Sequence, residues 1–227
     1  MTPGSPAAPA VAVDVAVFTV RDGTLHVLLV RVGRGSFAGR WALPGGRVRA
    51  DESLDEAAVR ELAEATGIRG VYLEQLYSFG SPQRDPHGRV VSVAYVALIA
   101  HGGRFPTGRD GGPPDARYAD VAWQPTTALP PLAYDHDAVV ATALARLRAK
   151  LSYTNLVYTL LPATFTMSEL QTMYEAVLGR VLDRRNFRKK IVALGLLRPL
   201  HRLRRGPHRP AALYAFRHRR PMMIEIL

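Results

Sequence analysis

Glu52, Arg60, Glu61 and Glu64 lie close together in the sequence, preceded by Gly45-Gly46 and followed by Gly67-Ile68. Glu61 and Glu64 are three positions apart, which makes them neighbours on one helix surface. Carboxylates gathered in this way bind hard divalent cations such as Mg²⁺, commonly beside substrate phosphates. The two glycines permit a tight loop that side chains would obstruct. A second group of chemically loaded residues lies near the other end: Arg184, Arg185, Asn186, Arg188 and Lys189. Between and after them, Phe187, Ile191 and Leu194 recur at i, i+4 and i+7. That spacing predicts a helix that buries one apolar stripe and turns Arg185, Arg188 and Lys189 away from it, with Asn186 on the flank. Such a helix fits the major groove, where Arg reads guanine and Asn reads adenine. Arg202, Arg204, Arg205 and Arg209 follow in a basic stretch suited to neutralising phosphates.

The elements that must hold these groups follow from pattern and punctuation. Val11 to Val20 and Leu25 to Val32 read as strands joined at Arg21-Asp22-Gly23, and Val71 to Phe79, Val90 to Ala100 and Ala119 to Trp123 as further strands. Asp51 to Ala65 and Asp135 to Leu151 read as helices, the first ending at Gly67. Turn residues mark loops around 82–87 and 107–114. Strands mixed with two helices predict a layered α/β or α+β domain over residues 11–151, after a disordered tail at 1–10. From residue 152 the pattern becomes helical. Ser152 to Leu161 reads as a short helix, and Thr166-Met167-Ser168-Glu169 as a capping box that opens a helix to about Leu178. Asp183 suits the N-cap of the next helix, and Leu196 to Leu200 with Ala212 to Phe216 suits a hairpin whose tip is basic. Three helices and a basic hairpin predict a winged helix-turn-helix over residues 152–227.

Composition agrees with this division. The chain has 227 residues and a net charge of +11, with no cysteine. Disulfides, thiolate zinc sites and cysteine nucleophiles are thereby excluded. Residues 1–150 hold 16 basic and 15 acidic side chains, whereas residues 151–227 hold 14 and 4. A near-neutral domain followed by a strongly basic one suggests a polyanionic partner for the second. No apolar run approaches the ~20 residues that a membrane span needs. The N-terminus lacks the basic and apolar regions of a signal peptide, so a cytoplasmic protein without a membrane partner is expected.

The first constellation resembles the Nudix box: glycine, five residues, glutamate, seven residues, then arginine, glutamate, an apolar residue, any residue, two glutamates, any residue, glycine and an apolar residue. Here it reads Gly46, Glu52 and Arg60-Glu61-Leu62-Ala63-Glu64-Ala65-Thr66-Gly67-Ile68, with Ala65 in place of the second paired glutamate. In that family the glutamates matching Glu61, Glu64 and position 65 hold the metal ions that activate diphosphate hydrolysis. The resemblance therefore implies a vestigial catalytic site. Glu61 and Glu64 would bind Mg²⁺ weakly or not at all, and no cofactor would be required. Compensation by Glu64, or by a carboxylate from a distant loop, is the alternative. Arg84-Asp85-Pro86-His87-Gly88-Arg89 with the strand from Val90 looks like the loop-and-strand segment of ADP-ribose-type Nudix proteins. Arg84 and Arg89 can grip a diphosphate, and Trp41, beside Arg40, can stack on a base. The plainer readings are solvated arginines and a core tryptophan.

The two halves together resemble the Nudix-related transcriptional regulators of NAD metabolism, the NrtR family. Phe165 to Gln171 and Leu182 to Lys190 carry the C-terminal part of that resemblance. It implies a homodimeric repressor of NAD-metabolism genes that binds a double-stranded DNA operator and takes ADP-ribose or a related metabolite as effector. A Mg²⁺-dependent ADP-ribose diphosphatase with a basic accessory domain is the competing reading, and a Nudix-derived RNA-binding protein a third. On sequence grounds, Ala65→Glu is expected to raise Mg²⁺-dependent hydrolysis of ADP-ribose, measured as AMP release.

Overall fold

A computed structural model describes residues 8–100, 113, 115–205 and 210–223. The chain opens with β1 (Ala10–Arg21) and β2 (Thr24–Val32), which turn at Asp22 and Gly23, both with positive φ (48° and 73°). The short strands β3 (Trp41–Ala42) and β4 (Gly45–Arg47) follow, then α1 (Leu54–Thr66), β5 (Leu73–Phe79), β6 (Val90–Leu98), β7 (Tyr118–Pro125) and α2 (His136–Tyr153). The strands form one seven-stranded sheet among the described residues, in the order β3-β2-β1-β6-β5, with β4 also on β1 and β7 also on β2. β1 is buried along almost its whole length, from Ala12 to Val20. Its near-continuous apolar run is what a strand covered on both faces requires. Asp14 interrupts that run and is itself buried.

Ser53 caps α1, its hydroxyl accepting from the Glu56 N–H while Glu56 reaches back to the Ser53 N–H. This capping box stops the helix from starting at Asp51, where the sequence pattern alone had placed its beginning. Gly67, left-handed at φ 75°, ends it. β3 and β4 are too short for a pattern of their own and follow only from pairing. β4 lies antiparallel to β1, with Val13 opposite Gly46 and Asp14 opposite Gly45. A Cβ on Gly45 would overlap the Val13 carbonyl oxygen, so glycine is required there by close backbone approach.

Contacts divide the chain into two compact units. One holds most of the sheet, α1 and the first part of α2; the other holds the hairpin end Phe18–His26 and the chain from Leu144 onward. In the second unit a 3-10 turn (Leu156–Thr159) takes the place of the expected helix over 152–161, because α2 continues to Tyr153. Then come β8 (Phe165–Thr166), α3 (Met167–Leu178), α4 (Arg184–Ala193), β9 (Leu197–Arg204) and β10 (Ala211–Phe216). The sheet order is β8-β10-β9, antiparallel throughout. The Thr166–Glu169 capping box and the left-handed Gly179 bound α3 as the sequence predicts. Phe187 packs edge-on against Tyr174, centroids 5.3 Å apart, and Phe165 packs at a tilt against Phe216, centroids 5.0 Å apart. Gln171 and Glu175 fix the α3–α4 turn: the Gln171 amide donates to the Leu182 carbonyl (2.9 Å), and the Leu182 N–H donates to Glu175 (2.8 Å). The architecture is a layered α/β unit followed in the chain by a winged helix-turn-helix, as the sequence predicts. No helix of the described residues is long and apolar enough to cross a membrane. Residues 1–7 of the expected tail, and most of the loop at 107–114, lie outside the described residues.

Gly45→Ala is expected to cost about 1–3 kcal/mol of folding stability, because β4 must move off Val13. Denaturant unfolding of wild type and variant measures the loss.

Candidate functional site

In the first unit α1 aims Glu61 inward, where it is 2% exposed. A buried carboxylate must be paired, and two arginines do this. Arg60 Nη1 donates to Glu61 Oε1 (2.7 Å) and Arg117 Nη2 to Glu61 Oε2 (2.6 Å). Gly46 faces the same carboxylate so closely that a Cβ there would overlap it. Arg60 also forks onto Glu52, at 2.7 and 2.5 Å, and reaches Glu64 at 3.2 Å. Arg49 takes the other Glu64 oxygen at 3.3 Å. The Arg60 hydrogen bonds bring the Glu52 carboxyl down from its ordinary 4.5 to about 2. Around these groups lies an open cleft of 790 Å³ whose lining includes Arg47, Arg49, Arg60, Arg69 and Arg117 with Glu61, Glu64 and Asp115.

A second space, a cavity of 350 Å³, is lined among others by Asp14, Leu43, Arg47, Arg84, Arg117, Tyr118, Tyr134 and His136. Arg47 and Arg117 line both spaces. Asp14 accepts from Arg84 Nη2 (3.0 Å) and from the Ser92 hydroxyl (2.5 Å). Arg84 also forks onto Asp135, at 2.8 and 3.1 Å. His136 Nδ1 accepts from the Leu43 N–H (2.8 Å), which leaves the ring proton on Nε2, 3.2 Å from Asp14 Oδ1. Burial pushes Asp14 up, but contacts with His136, Ser92 and Arg84 outweigh it and hold the carboxyl well below the usual range. Of the residues expected to hold an effector, Arg84 lines this cavity, already gripped by two acids. Arg40 is exposed, Trp41 is half-buried in β3, and Arg89 donates to the Gly80 carbonyl (2.7 Å); none of these three lines the cavity. Sequence reasoning missed Asp14, Arg47, Arg117, Tyr118 and His136. A charge inside the apolar run of β1 was a usable signal for Asp14. Arg117 has none, since the carboxylate that gives it its place, Glu61, comes from a distant segment.

Ala65 is fully buried in an apolar cluster with Val30, Ala42 and Ala133, against which Phe37, Tyr118 and Val121 pack. The position is a piece of core and not a gap in an open metal face. Mg²⁺ demands a near-octahedral set of oxygens. Here both Glu61 oxygens and both Glu64 oxygens carry arginines, and no cluster of three or more His, Asp or Glu suited to a metal occurs among the described residues. This donor set does not fit a divalent cation.

In the second unit Asp183 caps α4 by accepting from the Asn186 N–H (2.8 Å). Phe187 and Ile191 are buried and Leu194 half-buried, while Arg184, Arg185, Asn186, Arg188 and Lys189 are exposed together. Arg188 also reaches the Tyr214 hydroxyl at 3.4 Å. β9 runs on to Arg204, further than the sequence pattern reaches, because β10 pairs with it as far as Ala211 opposite Arg204. Arg202 and Arg204 therefore sit on a strand and not at the hairpin tip, and Arg204 pairs with the capping residue Glu169. Arg205 is exposed beyond the strand, and Arg209 lies outside the described residues.

Two outcomes follow. Because burial of Ala65 is complete, Ala65→Glu is now expected to cost roughly 3–5 kcal/mol of stability by burying an unpaired charge, with no gain in AMP release. A stable variant with Mg²⁺-dependent activity would contradict this. The Glu52 shift is downward, so its contribution to stability is complete above about pH 4.5 and lost as pH falls toward about 2. Glu52→Gln should therefore flatten the acid limb of a pH-dependent thermal unfolding series over that window.

Comparison with known proteins places the chain. A NUDIX domain model matches residues 9–145, and the NrtR DNA-binding winged helix domain model matches residues 157–216. The ADPR-responsive transcriptional repressor NtrR of Acinetobacter baylyi is 37% identical over 210 residues, covering 92% of this chain and 82% of its own. The crystal structure of Shewanella oneidensis NrtR with a 27mer DNA superposes with a TM-score of 0.75 at 34% identity, over 91% of this chain and 93% of that one. The NUDIX domain of the same protein with ADP ribose gives 0.56 at 36% identity, over 65% of this chain and 94% of that domain. With both halves matched in order, the chain belongs to the NrtR family, a Nudix domain joined to an NrtR-type winged helix.

Proposed function

We propose that this protein is a transcriptional repressor that binds duplex DNA through its winged helix as a homodimer, and that ADP-ribose or a related NAD metabolite bound to the Nudix unit modulates that binding. The observation that carries the reading is the exposed face of α4. Five polar or basic side chains, Arg184, Arg185, Asn186, Arg188 and Lys189, share one accessible surface that Phe187 and Ile191 fasten to the unit from behind. A helix held in this way presents base-reading groups at its N-terminal end, as helix-turn-helix proteins do in the major groove. The deep, narrow major groove of RNA would not admit it. Two such helices in a dimer would meet two operator half-sites.

The first unit supports a diphosphate-bearing effector. Arg47 and Arg117 line both its cleft and its cavity, and guanidinium groups bind phosphates bidentately. An effector shifts DNA affinity only by its differential affinity for the two dimer geometries. Genes of NAD metabolism are the expected targets.

Fluorescence anisotropy on DNA from upstream of NAD-synthesis genes, at fixed salt, tests this. The expected result is binding tighter than to random DNA or duplex RNA, and an affinity that changes as ADP-ribose is added. Arg185→Ala should weaken operator binding about tenfold or more, the worth of one bidentate base contact, and leave dimerisation intact. Equal affinity for random DNA, together with Mg²⁺-dependent release of AMP and ribose 5-phosphate, would replace the repressor with an ADP-ribose diphosphatase.

A further inference from the structure

Arg117 stands where the acidic groups of the cleft converge. Its Nη2 lies 2.6 Å from Glu61 Oε2, 2.6 Å from Asp115 Oδ2 and 3.8 Å from Glu64 Oε2. Its Nε donates to Asp115 at 2.7 Å, and its guanidinium carbon lies 5.3 Å from the centre of the Tyr118 ring. Three carboxylates and an aromatic face thus hold one cation in a fixed place. The cation is permanent, because a guanidinium does not lose its proton in a protein. The side chain is 37% exposed and lines both the cleft and the cavity.

Charge balance points the same way. Around the cleft, five arginines face three carboxylates. A divalent cation entering there meets a site that is already net positive, whereas an anion is drawn in. With alanine at position 65 and arginines on every oxygen of Glu61 and Glu64, no vacant anionic ligand among the described residues invites a metal.

We propose that Arg117 is a resident cation that takes the place of divalent metal at the Nudix helix, so that a diphosphate-bridged nucleotide binds this unit without metal. Arg117 neutralises Glu61 and Glu64, which would otherwise repel the diphosphate. It also offers that diphosphate a positive group that lines both the cleft and the cavity. The proposal rests on the effector reading above and extends it to how the anion is held.

Two measurements on the full chain separate the proposal from that reading. The first is calorimetric titration of ADP-ribose in EDTA and in Mg²⁺. Wild type should bind equally in both, within about twofold. Arg117→Ala should bind about tenfold more weakly or worse in EDTA, with part of the loss recovered by Mg²⁺ at the carboxylates set free. Arg117→Lys keeps the charge and should lose less, which also guards against a variant that merely fails to fold. The second is Mn²⁺ titration followed by electron paramagnetic resonance, with no nucleotide present. Arg117→Ala should gain Mn²⁺ affinity that wild type and Arg117→Lys lack.

Wild-type ADP-ribose binding that requires Mg²⁺ would overturn the proposal and leave the effector reading standing. Equal Mn²⁺ affinity in wild type and Arg117→Ala would overturn it as well. No ADP-ribose binding by wild type under either condition would defeat the effector reading, and the metal-free binding proposal with it.

Discussion

Glu61 is a buried carboxylate, and the first unit is built around the need to neutralise it. An isolated ionised carboxylate in a protein interior is too costly to persist, so partners must be delivered to both of its oxygens. Arg60 comes from the same helix and Arg117 from the turn just before β7. Gly46 has to be glycine because β4 passes directly over the carboxylate. Arg60 in turn fastens Glu52 and Glu64, and Arg117 fastens Asp115. One charge thereby ties α1, the loop before it and the turn before β7 into a single network. Among the described residues, no buried side-chain polar atom is left without a partner.

The same requirement shapes the second space. Asp14 interrupts the apolar run of β1 and is buried, so its carboxylate too must be paired. Arg84, Ser92 and His136 are brought to it from a loop, a neighbouring strand and the start of α2. Arg47 and Arg117 line both the cleft and the cavity, so the ion pairs that hold the fold together also shape the walls of both spaces. In the second unit the division of labour is cleaner. Phe187 and Ile191 hold α4 in place, and the basic side chains of α4 are exposed, with Arg188 reaching back to the Tyr214 hydroxyl.

The winged helix was legible because its signals are local. A capping box at Thr166 and Glu169, an N-cap at Asp183 and left-handed glycines at 179 and 195 each declare a helix end through hydrogen bonds within a few residues. The apolar stripe of α4 needs nothing more than its own period. The Nudix box was legible for the same reason: its glutamates and arginine share one helix and the loop before it. The wing was read short, because β9 is extended by pairing with β10, and a strand's length is set by its partner.

What the amino-acid sequence determined by itself is therefore the longer strands and helices, the capped helix ends, the basic face of α4 and the loss of a carboxylate at position 65. Tertiary structure decided the rest. Ala65 reads as a missing ligand along the chain, yet packing makes it core, since the helix face that carries Glu61 one turn earlier is covered at that point by Val30, Ala42 and Ala133. Arg117 lies 56 positions from Glu61 and follows no motif, yet the fold sets it on that carboxylate at 2.6 Å. Local hydrogen bonds and side-chain periodicity are written in the order of residues. Which distant charge meets a buried acid depends on how strands and loops converge, and only the folded chain contains that.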